Sequence, residues 1–124
     1  MVDVAHLLQA CRDANLRVAT AESCTAGMVA AALTDIAGSS DVFERGFVTY
    51  TNLAKTEMLG VREATLAAVR AVREEVAREM ALGALVNSDA QLSVPIPGIA
   101  GPGGPEFNPQ GRVRFVNGKG TGRR

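Results

Sequence analysis

The sequence predicts an α/β protein in which helices pack on a sheet. Three observations predict it. Residues 3–15 and 65–87 carry apolar side chains at helical spacing. Residues 17–21, 45–51, 91–96 and 112–116 form short β-prone or alternating runs. The two kinds of segment follow one another in the order αβαβααββ.

Taken in turn, Val4, Leu7, Leu8 and Cys11 recur at i, i+3, i+4, i+7 and define an amphipathic first helix. Cys11 falls on its apolar stripe and His6 on the other face. "RVATA" (17–21) reads as a first strand. Between Thr25 and Asp35, Met28, Val29, Ala32 and Leu33 keep helical spacing, and "AGSS" (37–40) breaks it. "RGFVTYT" (45–51) reads as a second strand. In "TNLAKTEMLGV" a helix restarts, with Asn52 as its expected N-cap and Gly60 as its stop. Residues 65–87 place Val69, Val72, Val76, Met80 and Ala84 on one side. "QLSVPI" (91–96) alternates as a strand does, a Gly/Pro loop follows, and "RVRFV" (112–116) is a further strand. Residues 1–116 therefore read as a single domain and 117–124 as a flexible polar tail.

Composition narrows the function classes. At 124 residues the chain is long enough for one domain with a core. Its 13 basic and 13 acidic residues cancel, so no field favours nucleic acid or an anionic membrane. No apolar run reaches the ~20 residues a spanning helix needs. The N-terminal stretch lacks the basic start of a signal peptide, and two cysteines make no disulfide framework. A reducing cytoplasm is the expected location.

Three junctions could carry chemistry. Ser23, in "AESCTAG", lies where a strand gives way to a helix. Serine there commonly caps the helix. The same place, facing unpaired N–H groups, also suits a nucleophile whose oxyanion needs donors. Cys24 could be a nucleophile too, or a small buried apolar residue. A serine nucleophile needs a base. The single histidine, His6, sits on the polar face of the first helix and gives a Ser-His-Asp triad little support. Lys55 is placed in the first turn of its helix, where the dipole disfavours a cation; burial there would lower its pKa. The chain has 11 Arg but only two Lys, so plain cations are mostly supplied by Arg. Lys55 is either such a base or a solvated surface lysine. Tyr50, just before it, could face the same pocket or simply pack its ring. "GIAGPGG" (98–104) permits close backbone approach to a ligand, or serves as a connector; it lacks the lysine ending of a P-loop.

Together, "TAESCTAG", "TDIAGSSDVFERGFVTYTNLAKTEMLGV" and "GIAGPGG" resemble the C-terminal domain family of the competence/damage-inducible protein CinA. The resemblance covers about Leu7 to Gly111. It implies a three-layer α/β/α sandwich, shortened in this chain at the C-terminal end by a strand and a terminal helix. It also implies nicotinamide-nucleotide amidase activity: hydrolysis of nicotinamide mononucleotide to nicotinate mononucleotide and ammonia, with no cofactor and no metal. By the same resemblance Ser23 is the nucleophile, Lys55 its base, and Tyr50 a proton relay or a support that keeps Lys55 neutral. Cys24, Thr25, Ala26 and Gly27, with Gly98, Gly101 and Gly103, would bind the substrate. The implied partners are a small-molecule nucleotide and further copies of the chain, as a dimer or higher oligomer. The alternative is a catalytically impaired relative that binds a nucleotide or serves assembly. The chain departs from the family pattern at Ala26, where the family has Gly, at Pro97, where it has Ser or Thr, and at Pro95 in a strand expected to be internal. A Ser-Lys hydrolase of the β-lactamase type fits less well, because Ser23 and Lys55 lie far beyond Ser-x-x-Lys spacing.

Overall fold

The structure is a computed structural model that describes residues 3–68, 73–98, 100–101, 104–105 and 116–117. Helix α1 (Val4–Asp13) opens on Asp3, whose side chain accepts from the N–H groups of Ala5 and His6. Strand β1 (Val18–Glu22) follows, wholly buried, and leads through a turn into helix α2 (Met28–Thr34). A single 3-10 turn at Ser39–Asp41 precedes strand β2 (Phe43–Val48). Helices α3 (Asn52–Leu59), α4 (Glu63–Leu66) and α5 (Arg73–Val86) come next, and strand β3 (Leu92–Ile96) ends the run. Short strands β4 (Ala100–Gly101) and β5 (Gly104–Pro105) pair with each other, and β6 (Val116–Asn117) joins β3.

The main sheet has the order β2-β1-β3-β6. β1 runs parallel to β2 and β3, and β6 runs antiparallel to β3. The chain therefore goes from β1 to a neighbour on one side, then crosses to the other side for β3. Alternation along β1 sends successive side chains to opposite faces. Ala19 and Ala21 pack with Leu59 of α3 and with Val76, Met80 and Ala84 of α5. Val18 packs with Leu8 and Cys11 of α1, Leu33 of α2 and Val94 of β3. Helices thus cover both faces, giving the expected three layers.

Several expected boundaries move. The second helix begins at Met28 rather than near Thr25, because residues 23–27 form a turn. β2 lies two to three residues earlier than expected, so Tyr50 is outside the strand. The N-cap of α3 is Thr51, whose hydroxyl accepts from Ala54 N–H, and not Asn52. Gly60 does stop that helix, at φ 73°. The expected helix over 65–87 is two helices; its Val69 and Val72 lie outside the described residues. So do residues 112–115 of the expected strand "RVRFV". Asn117, the first residue of the expected tail, pairs with Leu92 and belongs to the sheet.

Pro95 is accommodated by the phase of β3. Leu92 N–H donates to Arg17 and the Ile96 carbonyl accepts from Ser23 N–H, so even-numbered residues of β3 bond toward β1. The missing N–H of Pro95 points away from β1, so it removes no bond between β3 and β1.

Candidate active site

Three loops leave the carboxyl ends of the three parallel strands. They are residues 23–27 after β1, 49–51 after β2 and 97–98 after β3. In open α/β sheets ligands bind at such ends, where successive connections diverge to opposite sides. Here that divergence lies at β1 and β3, the strands that carry Ser23 and Gly98.

The turn at 23–27 is fixed by a residue that the sequence reading did not single out. Glu22, the last residue of β1, has no solvent-exposed surface. Its carboxylate accepts from the Thr25 hydroxyl at 2.7 Å and from the N–H groups of Gly27, Val29 and Ala30 at 3.1, 2.9 and 2.8 Å. It therefore caps α2, and neither Ser23 nor Thr25 does so by its side chain. The available signal was an acid closing a strand otherwise made of Val, Ala and Thr.

The remaining N–H groups of the turn can be assigned one by one. Ser23 donates to Ile96, Ala26 to Ser23 and Met28 to Thr25. Cys24 and Thr25 N–H have no acceptor among the described residues. They are the two that follow Ser23, the place required of oxyanion donors. Ala26 adopts φ 52° and Gly27 φ 99°, both left-handed. Ala26 thus occupies a conformation that suits the glycine of the family pattern.

Lys55 is 5% exposed, on the inner side of α3. Burial pushes its amine below the ordinary lysine pKa, and the electrostatic interaction with nearby Cys24 works against that shift. The second effect means that the Lys55 amine lies within electrostatic reach of Cys24, in the turn after β1. Its Nζ donates to the Tyr50 carbonyl at 3.5 Å, the limit of a hydrogen bond. No hydrogen bond joins Nζ to the Ser23 hydroxyl among the described residues. Ser23 itself is 3% exposed. Tyr50 meets Lys55 through its main chain, while its side chain is largely exposed.

Gly98 closes the third side at φ 57°, with its α-carbon against Cys24. Gly101 is described only as part of β4, and Gly103 lies outside the described residues. Among the described residues no group of three or more His, Cys, Asp or Glu could hold a metal ion, and no helix is long and apolar enough to cross a membrane. A separate cavity of about 280 Å³, lined by Asn52, Leu53, Thr56, Glu63, Leu66 and Ala67, involves neither Ser23 nor Lys55.

Fold and geometry together define a three-layer α/β/α protein whose candidate site residues gather at the carboxyl ends of its parallel strands. The chain belongs to the CinA C-terminal domain family, whose model matches residues 3–122. It is 58% identical over 109 residues to nicotinamide-nucleotide amidohydrolase PncC of Escherichia coli K12, covering 87% of this chain and 66% of that protein. It is 51% identical over 109 residues to a CinA-like protein of Chloroherpeton thalassium, covering 87% of this chain and 26% of that protein. Among solved structures, competence/damage inducible protein CihA of Agrobacterium tumefaciens superposes with TM-score 0.76 at 44% identity, over 92% of this chain and 76% of the other. A CinA superfamily protein of Escherichia coli gives TM-score 0.76 at 36% identity, over 91% and 72%. The chain thus spans just under two thirds of the amidohydrolase and about a quarter of the CinA-like protein.

Proposed function

We propose that this chain is an amidohydrolase that converts nicotinamide mononucleotide and water to nicotinate mononucleotide and ammonia. The observation that carries the reading is the buried amine of Lys55, with a lowered pKa, beside the turn that holds Ser23. Lowering the pKa raises the fraction of free amine, the form that can take a proton. The amidohydrolase relative, at 58% identity, supplies the substrate class.

In this reading Lys55 Nζ takes the Ser23 proton as Oγ attacks the carboxamide carbon. The oxyanion is received by the N–H groups of Cys24 and Thr25. The Lys55 ammonium then protonates the leaving nitrogen, ammonia departs, and an acyl-serine remains. Water, deprotonated by Lys55, attacks the acyl carbon; Lys55 returns that proton to Ser23 Oγ as the ester bond breaks and the carboxylate product leaves. Tyr50 contributes through its carbonyl: at 3.5 Å it orients Nζ while holding the ammonium only weakly. Ala26 and Gly27 shape the turn, and Gly98 and the following glycines Gly101 and Gly103 let the backbone approach the nucleotide. Neither a cofactor nor a metal has a step in this sequence.

Self-association and location belong to the same proposal. Met28, Tyr50 and Leu53 are 70, 67 and 63% exposed, and Val48 lies at the outer strand of the described sheet. Large exposed apolar side chains favour a covering second copy. The two cysteines, both free, fit a reducing cytoplasm.

A second reading, nucleotide binding without turnover, is favoured by the missing direct bond between Ser23 and Lys55. One assay separates them. Ammonia release from nicotinamide mononucleotide, abolished in Ser23→Ala and Lys55→Ala, is the expected result. Binding of the nucleotide with no ammonia from the parent chain would favour the second.

A further inference from the structure

Glu22 has two attachments, one through its side chain and one through its main chain. The carboxylate holds Thr25, Gly27, Val29 and Ala30, which ties the Ser23 turn to α2. The main-chain oxygen accepts from Thr49 N–H at 2.8 Å and from the Thr49 hydroxyl at 3.4 Å. Tyr50 follows Thr49, and its carbonyl meets Lys55 Nζ. Glu22 thus joins the segment that carries Ser23 to the segment that holds the Lys55 amine.

We propose that Glu22 is a positioning residue of the active site: its carboxylate fixes the 23–27 turn so that Ser23 is presented together with the N–H groups of Cys24 and Thr25, which have no acceptor among the described residues, as donors to an oxyanion. The inference rests on the amidohydrolase reading above. Ala26, a non-glycine residue in the left-handed region, persists there only when its surroundings over-determine it. The carboxylate does this by taking both the N–H of Gly27 and the hydroxyl of Thr25. Without it, the N–H groups of Gly27, Val29 and Ala30 lose their acceptor. The turn would relax toward a regular helix start, carrying Ser23 and those two donors with it.

The test compares Glu22→Gln with Thr25→Val. Gln keeps the length of the side chain but turns one acceptor oxygen into a donor, which then faces an N–H. For Glu22→Gln, kcat for ammonia release from nicotinamide mononucleotide is expected to fall about 100-fold, the scale of a lost oxyanion donor. KM should change by less than about threefold, and the pH profile, set by Lys55, should not move. Thr25→Val removes one of the four donors, and kcat should fall about tenfold, the rate equivalent of one hydrogen bond. Rates are taken per folded molecule, with the folded fraction read by circular dichroism. Wild-type kcat per folded molecule in Glu22→Gln, or losses that track only the folded fraction, would overturn the proposal. Should Glu22→Gln not fold, Thr25→Val decides alone. If the parent chain releases no ammonia, the amidohydrolase reading falls, and the rate at which Ser23 takes a fluorophosphonate decides the positioning role. Slower labelling in Glu22→Gln supports it; equal rates, or no label on Ser23 in the parent, overturn it.

Discussion

The α-carbon of Gly98 lies so close to Cys24 that a β-carbon there would come within 2.5 Å of Sγ and 2.8 Å of the Cys24 nitrogen. This contact locks the loop after β3 onto the turn after β1. Gly98→Ala adds a clash to a backbone at φ 57°. It should cost about 2–3 kcal/mol of stability and most of the ammonia release. Chemical unfolding and the amidase assay on the same sample check this. An alanine variant with unchanged midpoint and rate would remove Gly98 from the site.

Ala26 offers the opposite substitution. At φ 52° it bears a strain of about 1 kcal/mol, which Ala26→Gly relieves. The extra freedom of glycine in the unfolded chain takes back about half of that gain. The expected net effect is a stabilisation of about 0.5 kcal/mol, or a few degrees in Tm. A fall in Tm, read by calorimetry, would show that the turn is not held left-handed in solution.

Lys55→Met should separate stability from activity. Methionine fills a similar volume and has no charge to desolvate. The variant should lose ammonia release while keeping or raising its Tm, by several degrees for a gain of about 1 kcal/mol. A large loss of stability would mean that the amine is held for structure.

The same pair of proteins has a defined pH dependence. The amine pKa is below the ordinary 10.5 in the folded chain. Between the lowered value and 10.5 the unfolded chain binds more protons, so stability rises with pH across that window. Below the window the cost of the charged amine is present in full. The urea midpoint of the parent should therefore climb toward alkaline pH relative to Lys55→Met. Activity should show an ascending limb set by the same group. Parallel stability profiles for the two proteins would contradict burial of Lys55.

Gly83 connects α5 to the helix that carries Lys55. A β-carbon on Gly83 would collide with the Leu59 carbonyl and come 2.8 Å from the Leu59 α-carbon. Gly83→Ala should cost about 3 kcal/mol, since both contacts are backbone and neither can rotate away. It should also lower activity, because α3 must shift and Lys55 moves with it. Urea unfolding that leaves the midpoint in place would show that the helices have room to separate.

Local pattern determined the fold class. Leu8 and Cys11, then Val76, Met80 and Ala84, were legible as buried faces because a regular helix repeats its direction every 3.6 residues. The quoted motifs led to the family, and Ser23 and Lys55 drew notice because their types and local places were chemically unusual. The sequence could not show which caps and turns win, since several residues compete for the same few N–H groups. Thr51 displaced Asn52 at α3, and Glu22 displaced Ser23 and Thr25 at α2. It could not show that Tyr50 reaches Lys55 by its carbonyl while its ring stays mostly in solvent. Nor could it bring Gly98 against Cys24. Those relations depend on β1 lying between β2 and β3, and strand order arises from packing across long sequence separations, which no local period encodes.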